Sequence, residues 1–168
     1  VSHAVTNVIL AGLGGQGVIK ASDILADAAV RAGFDVKKAE VHGMSQRGGS
    51  VTSDVRFGGK VLSPMIPRGE ADFLVVLAPS EVEVTRPLLR PAGVLLAPDF
   101  VPEAELTNKR CLNVALLGAL SAHLDIPVAV FLDAVKAALA ERLHAVNEQA
   151  FQLGRAHGAR ALAATVGR

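Results

Sequence analysis

The sequence predicts a three-layer α/β domain: a mostly parallel sheet with an antiparallel hairpin and a helical C-terminal third. Three observations predict it. Short apolar runs of strand length, such as Val8-Ile9-Leu10-Ala11 and Leu74-Val75-Val76-Leu77, are bounded by turn residues and separated by helix-forming stretches. Hydrophobic residues make up 51% of the chain and are overwhelmingly aliphatic, with 4% aromatic and no Trp or Tyr, which suits Val/Ile/Leu strands covered by Ala/Leu helices. From Asn113 onward the apolar residues recur at helical rather than strand spacing.

Element by element, residues 8–11 read as a buried strand that breaks at glycines. Residues 18–32 carry Ile19, Ile24, Leu25, Ala28 and Ala29 at helical spacing and close on Gly33. Residues 34–41 form a second strand, and a right-handed crossover places it parallel to the first. The polar, glycine-rich stretch 42–50 is a loop. Val51, Ser53, Val55 and Phe57 then alternate with Thr52, Asp54 and Arg56, the period of a half-buried strand. Gly58-Gly59 suits a hairpin turn, with residues 60–63 as the returning strand before Pro64 and Pro67. Residues 72–78 are a further buried strand, followed by a short helix over 80–89 with Ser80 as its N-cap, and by a strand at 93–97. Helices over 113–124 and from Pro127, then from about Val146, complete the chain. Gly154 and Gly158 lie four apart in the last one. Either that helix is short or frayed there, or a second backbone packs closely against it. No repeat, low-complexity tract or linker divides the sequence, so residues 1–168 are read as one domain.

Charge and cysteine content narrow the function. With 17 Lys+Arg against 16 Asp+Glu the balance is near neutral, too weak a field to gather nucleic acid or an anionic membrane. The single Cys111 can form neither an internal disulfide nor a Cys-rich metal or iron–sulfur site, and reads as a small buried hydrophobe. No apolar run approaches the ~20 residues of a membrane span, so a cytoplasmic, soluble protein is expected.

Gly12-Leu13-Gly14-Gly15-Gln16-Gly17-Val18 joins the first strand to the first helix. Unpaired amides and the helix dipole make such an end a site for an anion, usually a phosphate. Gly12, Gly14 and Gly17 fit the G-x-G-x-x-G pattern of Rossmann-like dinucleotide-binding units, and Glu40 stands near the acidic position about 20 residues on that holds a ribose. Lys37, Lys38 and the long glycine loop that follows argue against NAD. The glycines also admit a reading in which they serve only tight strand–helix packing. Gln16 either orients a bound carbonyl or amide, or caps its own loop.

The stretch Glu40-Val41-His42-Gly43-Met44-Ser45-Gln46-Arg47-Gly48-Gly49-Ser50, with Val55-Arg56-Phe57-Gly58 and Ser63-Pro64, completes the pattern. Together with the glycine turn it resembles the gamma subunit or domain of the 2-oxoacid:ferredoxin oxidoreductases, most of all the beta subunit of the indolepyruvate branch. Asn113 with Leu117-Gly118-Ala119-Leu120, and Asn147 with Ala150-Phe151 and Gly154, extend the likeness over nearly the whole chain. The resemblance implies a subunit of an enzyme that oxidatively decarboxylates a 2-oxoacid, passes electrons to ferredoxin and releases an acyl-CoA. It implies that thiamine diphosphate, Mg²⁺ and the iron–sulfur clusters reside on partner subunits, and that this chain is inactive alone. CoA is then the implied co-substrate, with Gly12, Gly14, Gly15, Gln16 and Gly17 as its phosphate site. His42, Met44, Ser45, Gln46, Arg47, Gly48 and Gly49 are the loop facing substrate or partner. Arg47 either presents its guanidinium to a carboxylate or phosphate, or braces the loop against Glu40 or Asp54. His42 donates near the thioester or is structural; Met44 and Ser45 line an aryl pocket or fill core. A free-standing NAD-dependent dehydrogenase and a purely architectural subunit remain as rivals, and whether the isolated chain forms a homodimer stays open.

Overall fold

The computed structural model describes residues 4–42 and 48–166. Five strands form one sheet in the order β2-β3-β1-β4-β5: β1 (Thr6–Leu13), β2 (Asp35–His42), β3 (Ser50–Gly58), β4 (Ala71–Val76) and β5 (Leu89–Leu96). β1 pairs parallel with β4, and β4 with β5. β3 pairs antiparallel with both β1 and β2. Four strands therefore run one way and β3 alone is reversed, a mostly parallel sheet carrying an antiparallel hairpin.

The hairpin differs from the sequence expectation in its members. β1 and β2 share a direction, but β3 stands between them, so the first crossover does not end beside the strand it left. β3 is paired along both edges, from Thr6↔Phe57 to Leu13↔Ser50 on one side and from Asp35↔Gly58 to His42↔Val51 on the other. No edge remains for residues 60–63 to join. That segment is irregular, and side chains satisfy its backbone instead: Val61 N–H donates to Asp35 (2.7 Å), Ile66 N–H to Asp54 (2.9 Å), and the Arg56 guanidinium to the carbonyls of Ser63 and Met65. The sequence pattern of β3 was right, but its partners are the two strands before it, β1 and β2.

Helices α1 (Val18–Arg31), α3 (Leu112–Ser121), α4 (Val128–Ala138) and α5 (His144–Val166) cover one face of the sheet. Val8 and Leu10 of β1 point into that layer, while Ile9 and Ala11 point to the opposite face, as the two-residue strand period requires. The opposite face is more thinly covered, by Ile66 of the irregular segment and by Val82 of α2 (Pro79–Thr85). α2 opens on Pro79 rather than on a Ser80 cap: its N-cap is Ala78, and proline at the first helical position sacrifices only an amide that has no helical partner. Pro127 likewise sits one step earlier than expected, as the N-cap of α4.

α3 is buried on nearly every side, and α5 crosses it at backbone contact. A Cβ on Gly154 would lie 1.7 Å from the Ala115 carbonyl oxygen, one on Gly158 2.4 Å from that of Ala119, and one on Gly118 2.0 Å from that of Phe151. Close approach is thus the reason for the two glycines of α5, and the helix neither ends nor frays at them. Phe131 and Phe151, both fully buried, meet with ring centroids 5.2 Å apart and fix α4 against α5.

Candidate functional site

The C-terminal end of β1 opens directly into the glycine turn. Gly17, at φ 82°, is the N-cap of α1; no side chain caps that end and no acidic residue occupies its first turn. The first helical bond runs from Ala21 N–H to the Gly17 carbonyl (2.9 Å), leaving the preceding amides and the positive end of the helix dipole unneutralised. Gly15 is also left-handed (φ 89°), and a Cβ there would meet nothing within 4 Å. At Gly12 a Cβ would press within 2.9 Å of both the Gln16 and Val18 side chains, so this glycine serves close strand–helix packing. Gln16 caps its own loop. Its carbonyl accepts from Leu13 N–H (2.8 Å) and its amide reaches the Leu77 carbonyl (3.5 Å).

The turn forms one wall of a cleft of about 620 Å³, whose other walls are Lys20, Leu77, Lys109, Arg110, Leu112 and Asn113. Three cationic side chains therefore face one helix N-terminus. Lys20 donates to the Ala138 carbonyl (3.3 Å), Lys109 pairs on the surface with Glu103 (2.6 Å), and Arg110 has no ion pair among the described residues. Asn108 positions the Lys109-Arg110 turn by accepting from Arg110 N–H (2.9 Å). Asn113, in the first turn of α3, donates to the Gly17 carbonyl (3.3 Å) and ties the two walls together. Lys20, Lys109 and Arg110 did not stand out in the sequence. The available signal was the Lys-Arg pair just before a largely apolar helix.

The second predicted motif meets the first. Gly14 N–H donates to the Gly49 carbonyl at 3.0 Å, and Gly48 lies against the same turn. Ser50, next in the chain, donates to the buried carboxylate of Glu81 (2.8 Å) and fastens the end of the loop to α2. His42, Gly48 and Gly49 are thus brought to the glycine turn, whereas Met44, Ser45, Gln46 and Arg47, with Gly43, lie outside the described residues. His42 and Gly14, Gly15 and Gly17 line a smaller cavity of about 380 Å³. The exposed His42 ring stands 3.5 Å from Glu40.

Glu40 itself is engaged by Lys38, which also binds Asp23 of α1. The hydrogen bond from Lys38 holds the Glu40 carboxyl below the usual range. For Lys38, partial burial works against the charge, but the hydrogen bonds to Asp23 and Glu40 outweigh it and raise its pKa. A ribose at Glu40 would have to displace this ion pair, and β3 occupies the sheet position that β2 holds in a dinucleotide fold, so the NAD reading loses its scaffold. Asp54, the other carboxylate named for bracing Arg47, accepts from Ile66 N–H, while Arg47 itself lies outside the described residues. Cys111 is buried, and burial pushes its thiol up. Among the described residues no three His, Cys, Asp or Glu side chains stand together as a metal site.

Residues 7–102, spanning the glycine turn, the loop and β3, match the family model described as pyruvate ferredoxin/flavodoxin oxidoreductase. The chain belongs to this family. Among its relatives, the indolepyruvate oxidoreductase subunit IorB of Archaeoglobus fulgidus is 52% identical over 75 residues, 45% of this chain and 37% of the relative. IorB of Methanothermobacter thermautotrophicus is 39% identical over 101 residues, 60% of this chain and 51% of the relative. The common gamma subunit of the pyruvate/ketoisovalerate oxidoreductases of Thermococcus litoralis is 33% identical over 120 residues, 68% of this chain and 65% of the relative. The matched stretches thus span between about a third and two thirds of these family members. In fold, the chain is similar to the keto/oxoacid ferredoxin oxidoreductase gamma subunit of Geobacter sulfurreducens (TM-score 0.75, 22% identity, 92% of this chain and 97% of that one). It also resembles part of the 2-oxoglutarate:ferredoxin oxidoreductase of Magnetococcus marinus, solved with 2-oxoglutarate, coenzyme A and succinyl-CoA bound (TM-score 0.79, 22% identity, 92% of this chain and 31% of that one).

Proposed function

We propose that this chain is the gamma-type part of a 2-oxoacid:ferredoxin oxidoreductase, of the indolepyruvate kind, in which it packs on the thiamine-bearing subunit and forms the CoA side of the active site. The observation that carries this reading is the Gly14–Gly49 hydrogen bond. It sets the two family motifs edge to edge beside a cleft that Lys20, Lys109, Arg110 and the uncapped end of α1 make attractive to phosphates. CoA carries three phosphates and suits that charge. Thiamine diphosphate supplies the carbanion chemistry and the iron–sulfur clusters supply the electron path; both, with Mg²⁺, belong to partner subunits in this reading, and reduced ferredoxin leaves through the complex. This chain's part is to bind and orient CoA and to present the loop from His42 to Gly49 to the partner. The IorB names of its relatives favour an aryl pyruvate as substrate.

The test is steady-state kinetics of the assembled enzyme with Lys109→Ala/Arg110→Ala in this chain. The expected result is a KM for CoA raised about tenfold, as for loss of one or two charge-assisted contacts, with little change in KM for the oxoacid. An unchanged KM for CoA rejects the cleft as its site.

A further inference from the structure

The two edges of the sheet are finished differently. β5 carries Pro91 and Gly93, and the register between it and β4 shifts between Ala71 and Phe73. Such irregularities keep a sheet edge from pairing with another chain. β2 has none of them: all of its residues, from Asp35 to His42, stand in unbroken register with β3. No described strand pairs with the outer edge of β2, so alternate N–H and C=O groups along it are left to water. Glu40, Val41 and His42 are exposed, Val41 by 51%. The remaining guard of this edge is the charge on Lys37 and Lys38, and whether that charge repels depends on what it meets.

A second copy of the chain can continue the sheet antiparallel, about a two-fold axis perpendicular to it. Such an axis keeps every side chain on its own face, so residues meet only across that face. Lys38 and Glu40 share the face covered by α1, where Lys38 binds both Glu40 and Asp23. By the strand period Lys37 and Val41 share the other face. Only axes at Lys37, Lys38, Ala39 or Glu40 pair more than a short end of β2 with itself. An axis at Lys37 or Lys38 sets lysine against lysine, and one at Glu40 sets carboxylate against carboxylate. An axis at Ala39 puts the smallest side chain of the strand at the centre. It sets Lys38 of each copy opposite Glu40 of the other, and Lys37 opposite Val41. Opposite charges facing across two strands stabilise the pair, and like charges destabilise it. Charge therefore selects one register in which the strand is complementary to itself.

We propose that the outer edge of β2 is an interface between two copies of this chain, joining their sheets through antiparallel β2 strands about an axis at Ala39. The interface is independent of the oxoacid and CoA reading. A single strand pair is a small contact, so association is weak, in the micromolar range, and weakens further as salt screens the Lys38–Glu40 pairs.

Sedimentation equilibrium of the full chain is expected to show the mass rising with concentration from one chain to two. Glu40→Lys and Lys38→Glu each set like charges together in both halves of the interface, and each is expected to weaken the dimer about tenfold. Mixed in equal amounts, the two variants again face each other with opposite charges, and are expected to associate within about threefold of the native affinity. Val41→Lys, at a position the fold leaves exposed, puts a charge opposite Lys37 of the second copy and is expected to weaken the dimer likewise. It decides the matter if either charge-reversed variant fails to fold. A native chain that keeps the mass of one chain at millimolar concentration overturns the proposal. So does a dimer indifferent to Glu40→Lys or Val41→Lys, or a mixture in which the two folded variants ignore each other.

Discussion

At the scale of single residues, the cleft depends on where positive charge is placed. Gly15 projects into open space at φ 89°, so Gly15→Asp sets a carboxylate beside the end of α1 while straining the left-handed backbone by about 1–2 kcal/mol. The expected outcome in the assembled enzyme is retained assembly with a KM for CoA raised at least tenfold. A purely architectural turn predicts unchanged CoA kinetics, so the same variant separates the two. Asp54 gives a prediction in pH. Burial, against the hydrogen bond from Ile66 N–H and the nearby Arg56, holds its carboxyl above the ordinary value. A carboxyl with a raised folded-state pKa favours the fold while protonated, and that advantage is lost as pH rises through its folded pKa. Asp54→Asn keeps an oxygen for Ile66 and removes the buried charge, so the variant is expected to melt higher than the native chain at pH 7. The gap should close below about pH 4, as thermal denaturation across that range will show. The sequence showed the glycines and the Gln-Arg-Gly-Gly loop because short-range backbone needs leave local signatures. It did not show how Lys20, Lys109, Arg110 and Glu81 gather, since they come from three separate stretches that the fold alone brings to this end of the sheet.

At the scale of elements, the α3–α5 crossing sets two effects of opposite sign against each other. Gly154→Ala gains about 1 kcal/mol of helix propensity. The added methyl falls 1.7 Å from a backbone oxygen that no rotamer change can move, and separating the helices exposes or loosens Leu116, Leu120 and Phe151, all fully buried. Overpacking of this kind costs about 1–3 kcal/mol or more, so the variant is expected to be less stable by roughly 2 kcal/mol in urea denaturation. An increase in stability would show that the helices can part freely. Element types were readable because α1, β3 and α4 each carry their own period and β1 is an apolar run of strand length that breaks at glycines. Pairing was not. Gly58-Gly59 looks locally like a hairpin turn, and nothing local reveals that β2 and β1 have already taken both edges of β3. Likewise Gly154 and Gly158 were visible in the sequence, but their meaning lay in Ala115 and Ala119 on another helix.

At the scale of the molecule, family membership and the charged cleft describe a domain that binds and shapes. On our reading the carbanion and electron chemistry belongs to other subunits, and the loop after β2 and the glycine turn face them together. The thinly covered face of the sheet and the exposed Leu62 and Met65 are where a single chain leaves apolar surface in water. Purification of the protein from its native cell, with thiamine diphosphate and iron assayed in every fraction, asks whether the chain works inside such an assembly. The chain is expected to elute with a partner containing both, in a complex that reduces ferredoxin with an aryl pyruvate and CoA. Elution of the chain alone, with oxidation of a substrate by the isolated chain and NAD, would contradict it.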